Sequence, residues 1–258
     1  MDGQNIVWTT DADGIFSSQT GWMTDAQTIA NGYENTFGKD FNDDGLISGG
    51  DYYQLLGDNG PVTLKYQSDQ AGFNDNTSYG WDVTAAKNNS SSFQVLFEGS
   101  GPMDGQNIVW TTDADGIFSS QTGWMTDAQT IANGYENTFG KDFNDDGLIS
   151  GGDYYQLLGD NGPVTLKYQS DQAGFNDNTS HGWDVIAAKN NSSSFQVLFH
   201  GTGPMDGQNI IWTTDSNGIF SSQTGWMTDA QTVANGYESI FNLDINNNGS
   251  IGLSLIHI

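Results

Sequence analysis

Apolar residues recur with two different periods along this chain, and the periods separate strand from helix. Phe93, Val95 and Phe97 fall at every second position, the period of a strand. Asn107–Thr111 reads as a second strand and Trp81–Ala86 as a third, which Asn88-Asn89-Ser90-Ser91 turns into the Phe93–Phe97 strand. Asp113-Ala114-Asp115-Gly116 is a turn, and Ile117–Ser120 is its return strand. Upstream, Tyr52–Leu56 and Val62–Tyr66 flank Gly57-Asp58-Asn59-Gly60, which predicts a hairpin with a connection of four or five residues. Tyr52–Leu56 also suits a short helix, but its aromatic content favours a strand. Ser68–Ser78 and Gly99–Gln106 are polar and loop-like. The period then changes. Over 126–139, Ala128, Ile131, Ala132, Tyr135 and Phe139 share one helical face. Thr126 and Gln129 form a capping box, and Gly140 is a natural stop.

This pattern repeats. Residues 1–102 and 103–204 differ only at Tyr79/His181, Thr84/Ile186, Glu98/His200 and Ser100/Thr202, and a third copy starts at Met205. The expected fold class is α+β: tandem repeats of a small antiparallel β-sheet of hairpins and meanders, each followed by one helix and an acidic loop. Met1-Asp2-Gly3-Gln4 recurs at Met103 and Met205, so Met1 reads as an internal methionine of a longer array. Leu253-Ser254-Leu255-Ile256-His257-Ile258 breaks the repeat. The hexapeptide matches a translated adapter of transposon-made sequencing libraries and is set aside as an artefact.

The acidic loop carries the candidate chemistry. In Asp142–Asp153, oxygen-bearing side chains fall at positions 1, 3, 5, 9 and 12: Asp142, Asn144, Asp146, Ser150 and Asp153. Gly147 occupies the sharp turn at position 6, and Leu148 at position 7 offers its backbone carbonyl. This spacing resembles the EF-hand or dockerin loop, which wraps Ca2+ in six to eight hard oxygens. Asp at position 12 in place of Glu shortens the arm that would grip the ion from both oxygens. The first copy supplies Asp40, Asn42, Asp44, Leu46, Ser48 and Asp51. The third supplies Asp244, Asn246 and Asn248, with a neutral amide at position 5 and no ligand at position 12, so that site should be weak or absent. The same residue types also suit a polar turn without an ion.

Composition narrows the function. The 258 residues carry a net charge of −26, with lysine as the only strong cation. Such a surface repels nucleic acid and anionic membranes and attracts cations. Only Glu34, Glu98, Glu136 and Glu238 among the 32 acids are glutamate, and the bias to Asp favours turns and oxygen-ligand sites over long helices. With no cysteine there is neither a disulfide nor a thiolate metal site. No stretch approaches the ~20 apolar residues of a membrane helix. Trp8, Trp22, Trp81, Trp110, Trp124, Trp183, Trp212 and Trp226 are expected mainly in the core, although exposed indoles can stack on sugars. His181 and His200 replace Tyr79 and Glu98, and nothing places either in a Ser-His-Asp triad.

Several stretches carry a family resemblance. Gly162–Tyr168, Gly182-Trp183-Asp184-Val185, Phe195–Phe199, Ile210–Gly218, Tyr237–Phe241 and Asp244–Gly252 together resemble the tryptophan-rich Synechocystis-type C-terminal domain. The resemblance implies a non-catalytic module of large bacterial surface or secreted proteins, often in tandem. It places boundaries after each loop: an incomplete half-unit at 1–51, a full unit at 52–153 and a second unit at 154–252. The expected function is a calcium-stabilised structural and interaction module, adhesin-like and extracellular or at the cell surface, and not an enzyme. Its partners would be neighbouring repeats and a glycan or protein ligand. The alternative is the non-catalytic C-terminal array of a secreted hydrolase such as a metalloprotease.

Overall fold

The repeated sequence folds into repeated strands and short helices. The computed structural model describes residues 4–74, 76–160, 162–176 and 179–252, so Leu253–Ile258 lie outside it. These residues divide into two compact units, one ending at Asp127 and one starting at Ala128.

The first unit opens with β1 (Gln4–Asn5), β2 (Trp8–Thr10), β3 (Phe16–Gln19) and β4 (Met23–Thr24). β1 pairs β4, and β2 pairs β3. Two short helices follow, α1 (Asp25–Ala30) and α2 (Tyr33–Phe37). A small three-stranded sheet comprises β5 (Leu46–Ile47), β6 (Gln54–Gly57) and β7 (Gly60–Thr63). A larger sheet comprises β8 (Trp81–Asn88), β9 (Ser92–Gly99), β10 (Gln106–Asp113), β11 (Phe118–Gln121) and β12 (Met125–Thr126). Its order is β11-β10-β9-β8, with β12 on β10. Leu55 and Leu64 from the small sheet pack with Val83, Phe93, Val95, Phe97 and Ile108 of the large one. Two alternating strand faces thereby meet in one core.

The second unit begins with α3, which starts at Asp127 and runs to Ala132, and α4 (Tyr135–Phe139). It repeats the small sheet as β13 (Leu148–Ile149), β14 (Gln156–Gly159) and β15 (Gly162–Thr165). The large sheet returns as β16 (Trp183–Asn190), β17 (Ser194–Gly201), β18 (Gln208–Asp215), β19 (Phe220–Gln223) and β20 (Met227–Thr228). Helices α5 (Asp229–Ala234) and α6 (Tyr237–Phe241) close the unit. The large sheet is covered on both faces. Leu148, Leu157 and Leu166 pack against Val197, Phe199 and Trp212 on one side. On the other, Phe241 and Ile245 pack against Ala187, Leu198 and Ile211.

The strand periods led to the right elements, with two adjustments. The stretch expected as strand over Tyr52–Leu56 is strand only from Gln54, with Tyr52 and Tyr53 ahead of it, and its hairpin is tighter than expected because Gly57 pairs directly with Gly60. The helix expected over 126–139 is two helices. Gly134 adopts φ +77° between them, a left-handed conformation that ends a helix. The same break occurs at Gly32 and Gly236. It redirects the second helix, and the expected apolar stripe is only partly buried: Ala128 and Ala132 are exposed, while Thr130 and Glu136 are fully buried. The capping box predicted at Thr126 is seen at its counterparts, Thr24 with Gln27 and Thr228 with Gln231.

The tryptophans split between environments. Trp212 is buried against Phe175, Phe199 and Phe220, as expected of core. Trp22, Trp124 and Trp226, next to the helix starts, are instead exposed, as is Trp8. Trp124 and Trp226 each meet one ring edge-on, Trp81 and Trp183 respectively, at 5.5 Å.

Candidate metal centre

The acidic loop follows the second helix of each repeat, and the first two loops lead into a small sheet. In the second unit Asp142 fixes the turn from both oxygens. Its Oδ1 accepts the Asn144 N–H at 3.2 Å, and its Oδ2 accepts the Gly147 N–H at 2.7 Å. Asp146 Oδ1 accepts the Leu148 N–H at 2.8 Å, and the Asn144 side-chain amide donates to Asp146 Oδ2 at 2.9 Å. Asp145 supplies the left-handed residue before Asp146, with φ +57°. Gly147, at φ +80°, lies so close to β16 that a Cβ there would strike the Ala188 carbonyl. The Asp146 carbonyl accepts the Ala188 N–H at 2.7 Å, which anchors the loop to the large sheet.

Hydrogen bonds link positions 1, 3 and 5 of the loop, and position 7 joins them through its N–H. The Leu158 N–H donates to the Gly147 carbonyl, and the Leu148 N–H turns the other way to Asp146. Backbone groups alternate sides along an antiparallel strand, so the Leu148 carbonyl faces the Asp146 side too. Ser150 follows at the end of β13, half-buried. Asp153 is not drawn in: its side chain is exposed, and its carbonyl accepts from the Asn176 side chain at 3.1 Å. Among the described residues no three Asp, Glu or His side chains converge into a metal cluster.

The first-copy loop is arranged alike. Asp40 accepts from Asn42 and Gly45, Asp44 accepts from Leu46, and Asp51 is exposed. Leu46 and Ser48 begin and follow β5 as Leu148 and Ser150 do β13. In the third copy Asp244 accepts from Asn248 and Gly249, Asn246 accepts from Asn248, and Asn248 accepts from Ser250. Its position 12 falls at Leu255, outside the described residues. The third loop keeps the turn with amides where the others have carboxylates, so side-chain-to-backbone bonds suffice to shape it.

Burial makes the carboxylates uncomfortable. It pushes Asp146 up to about 6, against the lowering effect of the Leu148 N–H and Asn144, and the nearby Asp142 and Glu136 charges add to the rise. Asp44 is pushed up to about 6 for the same reason, and Asp40 is raised by burial as well. A carboxylate oxygen that accepts one N–H retains a lone pair for a cation. The oxygen-only donor set of Asp142, Asn144, Asp146 and the Leu148 carbonyl fits a hard cation such as Ca2+ and not a thiophilic metal. Asp142 and Asp145 also line an open cleft of about 360 Å³ that includes Lys189, Phe241 and Asn242.

Sequence reasoning passed over the residue that ties the loop together. Glu136 is buried within α4. Its Oε1 accepts the Phe143 N–H at 2.9 Å, and its Oε2 accepts the Ser150 N–H at 2.8 Å. Glu34 and Glu238 make the matching pairs in the other copies. The signal was present: three of only four glutamates stand six residues before a loop's first Asp.

His200 also has a structural setting. Its Nδ1 lies 3.0 Å from Asn209 Oδ1, and the Asn209 amide donates to Asp229 and Thr232. This buried polar junction joins β18 to α5.

The fold and loop define a tandem-repeat α+β module in which each sheet unit is followed by short helices and a turn held by a buried glutamate. Residues 45–151 and 149–252 each match the family model of the tryptophan-rich Synechocystis species C-terminal domain, and the chain belongs to that family. Comparison with curated proteins and with solved structures gave no match.

Proposed function

We propose that the chain is a calcium-stabilised structural and interaction module, non-enzymatic and adhesin-like, of a secreted or cell-surface bacterial protein. The observation that carries the reading is the Asp146 carboxyl, half-buried beside Asp142 and Asn144 and driven up to about 6. A divalent cation at this turn would offset both the burial cost and the repulsion between the two acids. Asp142, Asn144, Asp146 and the Leu148 carbonyl are the first ligands. Ser150 and Asp153 complete the shell through water or by a local closing of the loop. Asp40, Asn42, Asp44, Leu46, Ser48 and Asp51 form the equivalent site. Asp244, Asn246 and Asn248, with one carboxylate, bind most weakly. The exposed Trp124 and Trp226 suit stacking on an extracellular glycan or an aromatic contact with a surface protein.

Calorimetric titration with Ca2+ tests the reading, together with thermal melts in Ca2+, in chelator and in NaCl of matched ionic strength. Extracellular sites bind at roughly 10⁻⁴ to 10⁻³ M, and ten times that concentration stabilises a site by about 1.4 kcal/mol. The variant carrying both Asp142→Ala and Asp146→Ala should lose one site and keep the response at Asp40–Asp51. Absence of saturable binding at millimolar Ca2+, with unchanged melts, would reduce the loop to a polar turn.

A further inference from the structure

Two neighbouring cavities in the second unit share a wall. Tyr154, Tyr155, Gln156 and Asn176 line the smaller, of about 240 Å³. Tyr154, Tyr168, Gln172, Phe175, Asn176 and His181 line the larger, of about 580 Å³. Tyr154 and Asn176 are common to both, so the two form one groove. The larger cavity alone falls within the ~300–1,000 Å³ of small-molecule sites. The first unit repeats the smaller cavity at Tyr52, Tyr53, Gln54 and Asn74, with about 230 Å³.

The rings along the groove are held in place. A Cβ on Gly174 would strike the Tyr154 ring, so the glycine makes room for it. Tyr168 stacks on Phe220 at 5.1 Å and leans on Trp212 at 5.9 Å, yet stays 44% exposed. Phe175 meets Trp212 edge-on at 5.1 Å. The Asn176 amide is fixed as well: it donates to the Asp153 carbonyl at 3.1 Å and accepts the Thr179 N–H at 3.2 Å. His181 is exposed at φ +54°, and its twin Tyr79 repeats that conformation at 87% exposure. Both copies thus hold an aromatic ring in a left-handed backbone that bulky residues seldom adopt. Strain of this kind clusters where ligands bind.

These features select a class of ligand. The net charge of −26 repels an anion, and no described residue lining the groove is an acid that would draw a cation. The Phe175 N–H donates to the Leu166 carbonyl, and the Phe175 carbonyl accepts the Tyr155 N–H. This backbone is therefore closed to a peptide arriving as an added strand. Recognition falls to ring faces and to the side-chain amides of Gln156 and Gln172. Rings pack against C–H faces, and an amide can both donate to and accept from hydroxyls. A sugar ring carries both kinds of group. We propose that the groove binds a linear, neutral oligosaccharide, with Tyr154 and Tyr168 as stacking platforms and Gln156 and Gln172 as hydroxyl partners. The proposal rests on the reading of the chain as an interaction module, and it places the glycan in the groove instead of on the exposed tryptophans.

The test titrates the full chain with cello-, malto-, laminari-, manno- and chitohexaose, in Ca2+ and in chelator, by calorimetry and saturation-transfer NMR. At least one sugar should bind with a Kd below about 10 mM. Tyr66→Ala with Tyr168→Ala should weaken that binding at least about tenfold. Gln70→Ala with Gln172→Ala, which alters only exposed amides, should weaken it at least about threefold. Trp124→Ala with Trp226→Ala should leave it within about twofold of the parent. Thermal melts verify that each variant folds. Sugar binding without Ca2+ binding would sink the calcium reading and leave this one standing. Four results would overturn the proposal: no sugar bound below about 10 mM, a proline-rich decapeptide bound where no sugar is, unchanged affinity in the tyrosine and glutamine variants, or loss in the tryptophan variant alone. The last would return the glycan to the exposed indoles.

Discussion

Glu136 and Ser150 are fourteen residues apart and share a 2.8 Å hydrogen bond, from the Ser150 N–H to Oε2 of a fully buried carboxylate. The other oxygen holds the Phe143 N–H, so a single side chain clamps both ends of the acidic loop. Removing it strands two backbone donors away from water. Glu136→Ala should cost about 3–5 kcal/mol, and Glu136→Gln, which can still accept one bond, about 1–3 kcal/mol. Denaturant melts give the totals. Hydrogen exchange at Phe143 and Ser150 shows whether the loss is local, since both amides should lose protection in the alanine variant.

Mild acid should stabilise the ion-free chain. Asp44 and Asp146 titrate near 3.8 when unfolded and at about 6 when folded. Between those values the folded state holds more protons. Their contribution is therefore most favourable below about 3.8 and is lost as pH rises through about 6. Solvent screening of these half-exposed groups limits the effect to about 1 kcal/mol per carboxyl. Melts in chelator from pH 7 to pH 4.5 should show the gain. Asp44→Asn with Asp146→Asn should remove most of it, separating it from the general relief of negative charge.

The parts of the fold fixed by local pattern were legible in the sequence. Alternation at Phe93, Val95 and Phe97 marked β9, and the turn at Asp113–Gly116 marked the bend into β11. The helical break at Asn133-Gly134 was visible as residue types that end helices, but the longer apolar stripe outweighed it. Tertiary roles were harder to read. Trp8 and Trp212 sit in nearly the same local sequence, yet one is exposed and one is buried, because burial depends on the strands that arrive from elsewhere in the chain. Glu136 resembled an ordinary surface glutamate of a helix, since nothing local shows that its partners lie seven and fourteen residues ahead. In the loop, the spacing located the turn formed by Asp142, Asn144 and Asp146. It did not anticipate that Asp153 stays outside, because Gly151 and Gly152 lead the chain away toward Asn137 and Gly134.

Gly147 should tolerate no side chain. Its φ of +80° disfavours any other residue, and a Cβ would press on the Ala188 carbonyl, part of a rigid strand. Gly147→Ala should cost about 3 kcal/mol or more, through strain and through displacement of the loop from β16. At Gly123 no atom lies within 4 Å of the place a Cβ would take, and φ lies outside the left-handed region, so Gly123→Ala should stay within about 0.5 kcal/mol of the parent. Chemical denaturation of the two variants side by side provides the comparison.

Thr84 and Ile186 mark the same position in two copies, and the difference between them should be measurable. Each is the extra residue of a bulge. Val83 pairs Phe97 and Ala85 pairs Leu96, with Thr84 left between them, and Val185, Ala187 and Ile186 follow the same arrangement in β16. A bulge turns two consecutive side chains toward one face. In the second unit that face is apolar, and Ile186 packs beside Ala187, Leu198 and Ile211. In the first unit the Thr84 hydroxyl is buried without a hydrogen-bond partner. An unpaired buried hydroxyl costs about 1–3 kcal/mol, and the isoleucine at the sister position already fits this backbone. Thr84→Ile should therefore raise stability by about 1–2 kcal/mol, while Ile186→Thr should lower it by a similar or larger amount through lost apolar burial. Denaturant melts of both single variants and the exchanged pair decide the matter. No gain from Thr84→Ile would mean that water satisfies the hydroxyl.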